Sequence, residues 1–219
     1  MNLFRQVQYL VKKEMLLEWR SKYALNSIIL YVVSTVFVCY QAFRTIDPLV
    51  WNALFWIIML FASINAIAKS FLQESSGRQL YYYSLVSPQA VILSKIIYNS
   101  LLMLLLSAIA FFVYGIIFKN PIGNILLYFI AVILGSVSFA TVFTMVSGIS
   151  AKTNRGGTLM AILSFPIIIP VLIVLIKLSK NAMDGLEPSV SYDELGVLVA
   201  INSIVVTISL ILFPYLWRN

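Results

Sequence analysis

Six stretches of this chain, about 23–43, 49–71, 90–118, 122–149, 157–177 and 195–216, are each mostly apolar. An α-helix rises about 1.5 Å per residue, so about 20 such residues cross a hydrocarbon layer about 30 Å thick. A chain of 219 residues spent in this way is 61% hydrophobic and only 11% charged. Soluble domains carry roughly 25% charge, so this surface is not built for water. The runs predict an all-α integral membrane protein with six transmembrane helices, in a single domain over residues 1–219. The third and fourth runs exceed the hydrocarbon thickness and are expected to tilt or project beyond it. No internal repeat or low-complexity tract divides the chain.

Three of the runs share a start signal. Asp47-Pro48, Ser87-Pro88 and Asn120-Pro121 each put a capping side chain before a proline. Such a side chain accepts an orphan backbone N–H, and proline at the first helical position has no N–H to lose. Orientation follows from the basic residues. With the N-terminus inside, eleven of the 15 fall on the cytoplasmic side: those of residues 1–22, Lys69, Arg78, Lys95, Lys152, Arg155 and Arg218. Arg44, Lys119, Lys177 and Lys180 fall outside, and the positive-inside rule predicts that both termini are cytoplasmic.

Much chemistry is excluded. The chain has no histidine and one cysteine, Cys39, which reads as a packing residue and rules out an internal disulfide or a cysteine metal cluster. The spans hold no acid, arginine or histidine away from their ends, which weakens a proton-driven carrier. Lys69, Lys95 and Lys177 are near enough to the ends to snorkel, and the deeper polar groups are amides and hydroxyls such as Asn65, Asn99 and Asn202. Serines have no accompanying base, and there is no GxxxxGK[ST] phosphate loop, so no catalytic activity is expected. The net charge of +7 is accounted for by loop residues that orient spans, not by a nucleic-acid site. An energy source, if one is used, belongs to another chain.

Four features remain as candidates. In "LFRQVQYLVKKEMLLEWRSK", Phe4, Val7, Leu10, Val11 and Leu17 share a helical face, predicting an amphipathic helix at the inner membrane interface. Residues 1–22 contain Glu14 and Glu18 and lack a short apolar core, so they do not read as a cleaved signal peptide. Those two acids interrupt the Val7–Val11 stripe; they either pair locally or contact a partner subunit. In the fourth run Ser136, Ala140, Thr144 and Gly148 recur every four residues, a groove for close packing within the subunit or across a self-dimer. In the fifth, Gly156-Gly157 opens the span and Pro166 and Pro170 interrupt it, as a gate or as a static bend.

The fourth feature is "QESSGRQLYYYSLVSPQ", residues 73–89, between the second and third runs on the predicted cytoplasmic side. Gly77 permits a turn, and Arg78 to Val86 is long enough for about two helical turns. Leu80, Tyr83 and Leu85 are available for burial before Ser87-Pro88 restarts a helix. This shape suits a short cytoplasmic helix on which another subunit docks, the alternative being a loop that packs on its own chain.

Glu74, Gly77, Leu80, Leu85, Ser87, Pro88 and Lys95 together resemble the segment after span two of ABC-2-type permeases. Within that superfamily, "GGTLMAILSFPIIIPVLI" resembles the fifth-span motif of the haem exporter protein B family of the cytochrome c maturation system. Length, span number and the N-terminal helix also fit, so the resemblance covers essentially the whole chain. The Tyr81-Tyr82-Tyr83 run and Arg78 depart from the pattern. The resemblance implies a non-catalytic permease subunit in a bacterial inner membrane, coupled through residues 74–88 to an ABC ATPase subunit. It further implies a haem-handling membrane subunit with a tryptophan-rich motif, a small accessory subunit and a periplasmic haem chaperone. No cofactor is expected on this chain; ATP is bound by the ATPase and haem is handled by the partners. An ABC-2 exporter for a lipid, glycan or drug, a membrane scaffold and a membrane enzyme are the competing readings.

Overall fold

Hydrocarbon offers no partner to a peptide N–H or C=O, so an apolar run must satisfy its own backbone, and a helix does this within one segment. The computed structural model describes residues 2–21, 23–43, 46–67, 71, 85–118, 120–151 and 156–218. Its helices are α1 (Leu3–Ser21), α2 (Tyr23–Ala42), α3 (Pro48–Ile67), α4 (Pro88–Ile117), α5 (Ile125–Ser150), α6 (Gly156–Met183) and α7 (Tyr192–Arg218). A 3-10 turn, Pro188–Ser191, leads into α7, and no strand occurs among the described residues. Five helices are long and apolar enough to cross a membrane: α3, α4, α5, α6 over Ile162–Met183, and the stretch Pro188–Leu216 that contains α7. The remaining expected span is α2, whose described apolar part is the shorter stretch Ile28–Ala42.

Two of the start signals work differently from the sequence expectation. α4 begins at Pro88, but the Ser87 side chain makes no cap bond and turns instead to α1. α5 begins at Ile125 rather than after Asn120-Pro121, because Asn124 is the cap and accepts from the Leu127 N–H at 3.1 Å. Asn120 accepts from the Ile122 N–H in a local turn of its own.

The sequence of α5 explains its position. It carries no charge and many small residues, so neighbours can approach on every side, and it packs against α3, α4, α6 and α7. At Gly135 an added Cβ would lie 2.5 Å from the Trp56 ring, so only glycine lets α3 close onto α5 there. Trp56 in turn donates through Nε1 to Ser179 Oγ on α6 at 2.8 Å. Polar bonds also cross between helices at Asn99 Nδ2 to Thr144 Oγ1 (2.8 Å) and Asn202 Nδ2 to Ser138 Oγ (2.9 Å). Asn65 bonds only to the Phe61 carbonyl of its own helix.

At the end of the bundle away from α1, the α4–α5 connection is locked onto the end of α6. Gly123 and Asn124 donate their N–H groups to the carbonyls of Met183 and Ala182, at 3.2 and 2.7 Å. Two apolar cores result: a large one through the bundle, and a small one where Val7, Leu10, Phe71, Val91, Ile96 and Phe213 meet.

Gly135→Ala should force Trp56 off α5 and break its bond to Ser179, at a cost of about 1–3 kcal/mol. Thermal unfolding in mild detergent reads this as a lowered Tm. Gly115→Ala, where the added methyl meets nothing within 4 Å, should leave Tm unchanged or raise it.

Candidate functional site

The candidate site is the seam between α1 and the start of α4. Gln6 Oε1 accepts from both the backbone N–H and the hydroxyl of Ser87, at 3.1 and 2.8 Å. Two turns further along, Lys95 Nζ lies 3.4 Å from Glu14 Oε1. One turn beyond that, the Tyr98 hydroxyl donates to Glu18 Oε2 at 3.4 Å. The three pairs are separated by 81, 81 and 80 residues. A near-constant offset of this kind requires two helices running side by side in the same direction. The path continues into α2, where Tyr40 meets Phe118 at the far end of α4 with ring centroids 6.0 Å apart. Thus α1 is a helix as its pattern predicts, but it runs parallel to α4 instead of lying flat along the inner membrane interface.

The face that packs on α4 carries Val7 and Leu10, both buried, and continues to Glu14, which is half-buried. Phe4 and Leu17, assigned to the same stripe in sequence, are exposed. Lys95 is the sharpest departure from sequence expectation. It does not snorkel: it is 2% exposed, directed at Glu14, with Nζ 4.8 Å from the centre of the Phe71 ring. Glu14 is shared with Lys13, whose ammonium lies at 2.8 Å. Burial pushes the Glu14 carboxyl up, but Lys95 and Lys13 outweigh it and hold the group below its ordinary value of 4.5.

The other candidates fall in three groups. Of the 73–89 segment, Leu85 is exposed, and Ser87 and Pro88 sit at the seam; Glu74, Gly77, Arg78, Leu80 and Tyr83 lie outside the described residues. Ser136, Ala140, Thr144 and Gly148 are all buried within this chain, Thr144 against Asn99 of α4 and Gly148 against Phe213 of α7. A side chain sealed inside the chain has no surface left for a second copy. Gly156 and Gly157 open α6, and the helix continues through Pro166 and Pro170, both on its exposed face. Each proline lacks an N–H, so the carbonyls four residues earlier, of Ile162 and Pro166, lose their helical donors.

Sequence reasoning missed Gln6 and Tyr98, and for Lys95, which it placed in the resemblance motif, it missed the partner. The available signal was the pair of acids four residues apart in an apolar stripe, which shows that something polar opposes them. Nothing local identifies residues about 80 positions away as the partners. Among the described residues no three His, Cys, Asp or Glu side chains gather to hold a metal.

Glu14→Gln removes the carboxylate that the buried Lys95 ammonium faces among the described residues and should cost about 1–3 kcal/mol. The expected reading is a lower Tm in detergent, largely recovered in Glu14→Gln/Lys95→Met, where the buried ammonium is gone and the charge left is that of the more exposed Lys13. Because the folded carboxyl has the lower pKa, its stabilisation is present above the ordinary carboxylate range and is lost as pH falls through the folded value. The wild-type Tm should therefore lose this contribution on acidification, while Glu14→Gln should show no such loss from this site.

No curated protein matches the chain in sequence. The family model described as CcmB protein matches residues 5–215, almost the whole chain. All seven helices, the α1–α4 seam and both prolines of α6 lie wholly or almost wholly within that match, and the chain belongs to the CcmB family.

Proposed function

We propose that this chain is the membrane permease subunit of a cytochrome c maturation complex, in which ATP hydrolysis by a separate ABC ATPase subunit drives delivery of haem or release of a haem-loaded chaperone. The family match over residues 5–215 carries this reading. In it, the N-terminus and the 73–88 segment face the cytoplasm of a bacterial inner-membrane protein, and the ATPase docks there. A haem-handling subunit with a tryptophan-rich motif, a small accessory subunit and a periplasmic haem chaperone complete the assembly. Haem stays with those partners, and this chain catalyses nothing itself.

The seam supports a route for the motion. Ser87 is where the 73–88 segment becomes α4, and it is held by Gln6 through two hydrogen bonds. A displacement of that segment is then felt by α4 and by α1 together. Pro166 and Pro170 weaken the backbone bonding of α6, so that helix is the one suited to bend in response.

Deletion of the chain should abolish holo-cytochromes c, read by haem staining, while leaving haem synthesis intact. Normal holo-cytochrome levels with a failure to export a lipid, glycan or drug would instead support the ABC-2 exporter reading. Leu85→Asp changes an exposed residue and should leave the fold intact. It should weaken ATPase recovery in a mild-detergent pull-down by about tenfold, the effect of about 1.4 kcal/mol at an interface. Full recovery would show that the ATPase docks elsewhere.

A further inference from the structure

We infer that the outer face of α1 binds the headgroup of an anionic phospholipid in the leaflet where α2 begins its crossing. A groove of about 390 Å³ runs along this face, lined among the described residues by Tyr9, Lys12, Lys13, Leu16, Leu17 and Arg20. The spacing of three and four residues puts all six on one side of α1, away from the Val7–Leu10 side that packs on α4. Lys12 and Arg20 have no ion pair among the described residues, and Lys13 shares Glu14 with Lys95. The face therefore carries surplus positive charge.

Depth identifies the occupant. α4 has 30 residues, about 45 Å, against a hydrocarbon layer about 30 Å thick. With the Ile117 end at one boundary of that layer, about 20 residues reach back to the level of Tyr98. Tyr98 pairs with Glu18 of α1, so Arg20 lies at the opposite boundary, while Lys12 and Lys13 lie roughly 8–12 Å out from Arg20. The groove thus spans the headgroup layer. A phosphodiester supplies the anion that lysine and arginine bond best, and the lipid's glycerol-ester region lies against the exposed Leu16 and Leu17. Trp19, 75% exposed on the same turn, has the amphipathic ring that settles at this depth. Neutral headgroups offer no net charge to three cations. An acidic protein surface would match the charge but has no reason to lie at this depth.

This inference is independent of the function proposed above, and its test uses the purified full-length chain alone. Native mass spectrometry in mild detergent would compare dioleoyl phosphatidylglycerol with dioleoyl phosphatidylcholine as probes. Phosphatidylglycerol should bind about tenfold tighter or more, with the preference fading as salt is raised. Lys12→Ala/Lys13→Ala/Arg20→Ala should remove the preference. Lys12→Ala/Arg20→Ala, which leaves the Lys13–Glu14 pair in place, should reduce it with Tm unchanged. Equal binding of the two lipids, or a triple variant that keeps the preference, overturns the inference. So does a triple variant that loses a protein partner from the native complex while its lipid preference stays intact; in that case the face is a protein interface.

Discussion

A polar group inside hydrocarbon is costly unless it finds a partner within the protein, and most buried side chains of this chain follow that rule as its backbone does; Trp51 Nε1, Asn52 Oδ1 and Tyr128 Oη are exceptions. The hydroxyls of Ser63, Ser94, Ser136, Ser138 and Ser179 each donate to a carbonyl three or four residues earlier in their own helix. That arrangement costs nothing in neighbours and lets small residues pack closely. The Asn65 amide is satisfied in the same local way, but Asn52, Asn99 and Asn202 reach α6, α5 and α5 respectively. Each such bond between helices contributes modestly, about 0.6 kcal/mol on average. Their larger effect is on register, since a helix sliding by one turn would leave them unpaired in an apolar medium. The main bundle is therefore aligned by a few amides and filled by aromatic and aliphatic packing around α5.

The seam at α1 obeys the same rule with charges. An ammonium buried in protein as fully as that of Lys95 needs an anion, and Glu14 supplies one from a helix that lies outside the main bundle. This contact is the reason an otherwise marginal amphipathic helix has a fixed place. Val7 and Leu10 contribute burial, but the apolar cluster they enter is small and separate from the large core. The direction of α1 follows from the three pairs at nearly equal offset, and that direction carries the depth assignment of its basic face.

The helices and their membrane character were legible in sequence because twenty-residue apolar periodicity is a local property. The close approach at Gly135 was not, since nothing in the α5 sequence names Trp56 as the ring that fills the space. The caps were half legible. Pro48 and Pro88 start helices where expected, but Ser87 gave up capping for a bond to Gln6, and Asn124 outcompeted Asn120 four residues earlier. Those outcomes depend on neighbours supplied by distant sequence. For the same reason Lys95 looked like a lysine able to reach water, when the helix that shields it begins more than 80 residues before it in the chain. Glu14 and Glu18 break the apolar stripe of α1, which marks an opposing polar group in sequence without naming it.

The offset of 81 residues between Glu14 and Lys95 also has a meaning in time. Ribosomes add about 5–20 residues per second, so α1 is made roughly 4–16 s before the helix it belongs against. Throughout that interval Glu14 and Glu18 have no counterpart in α4, and the apolar rungs beside them are uncovered. The newborn α1 must wait in water or at the lipid surface while α2 and α3 are made. Only when α4 emerges can α1 settle into its seam.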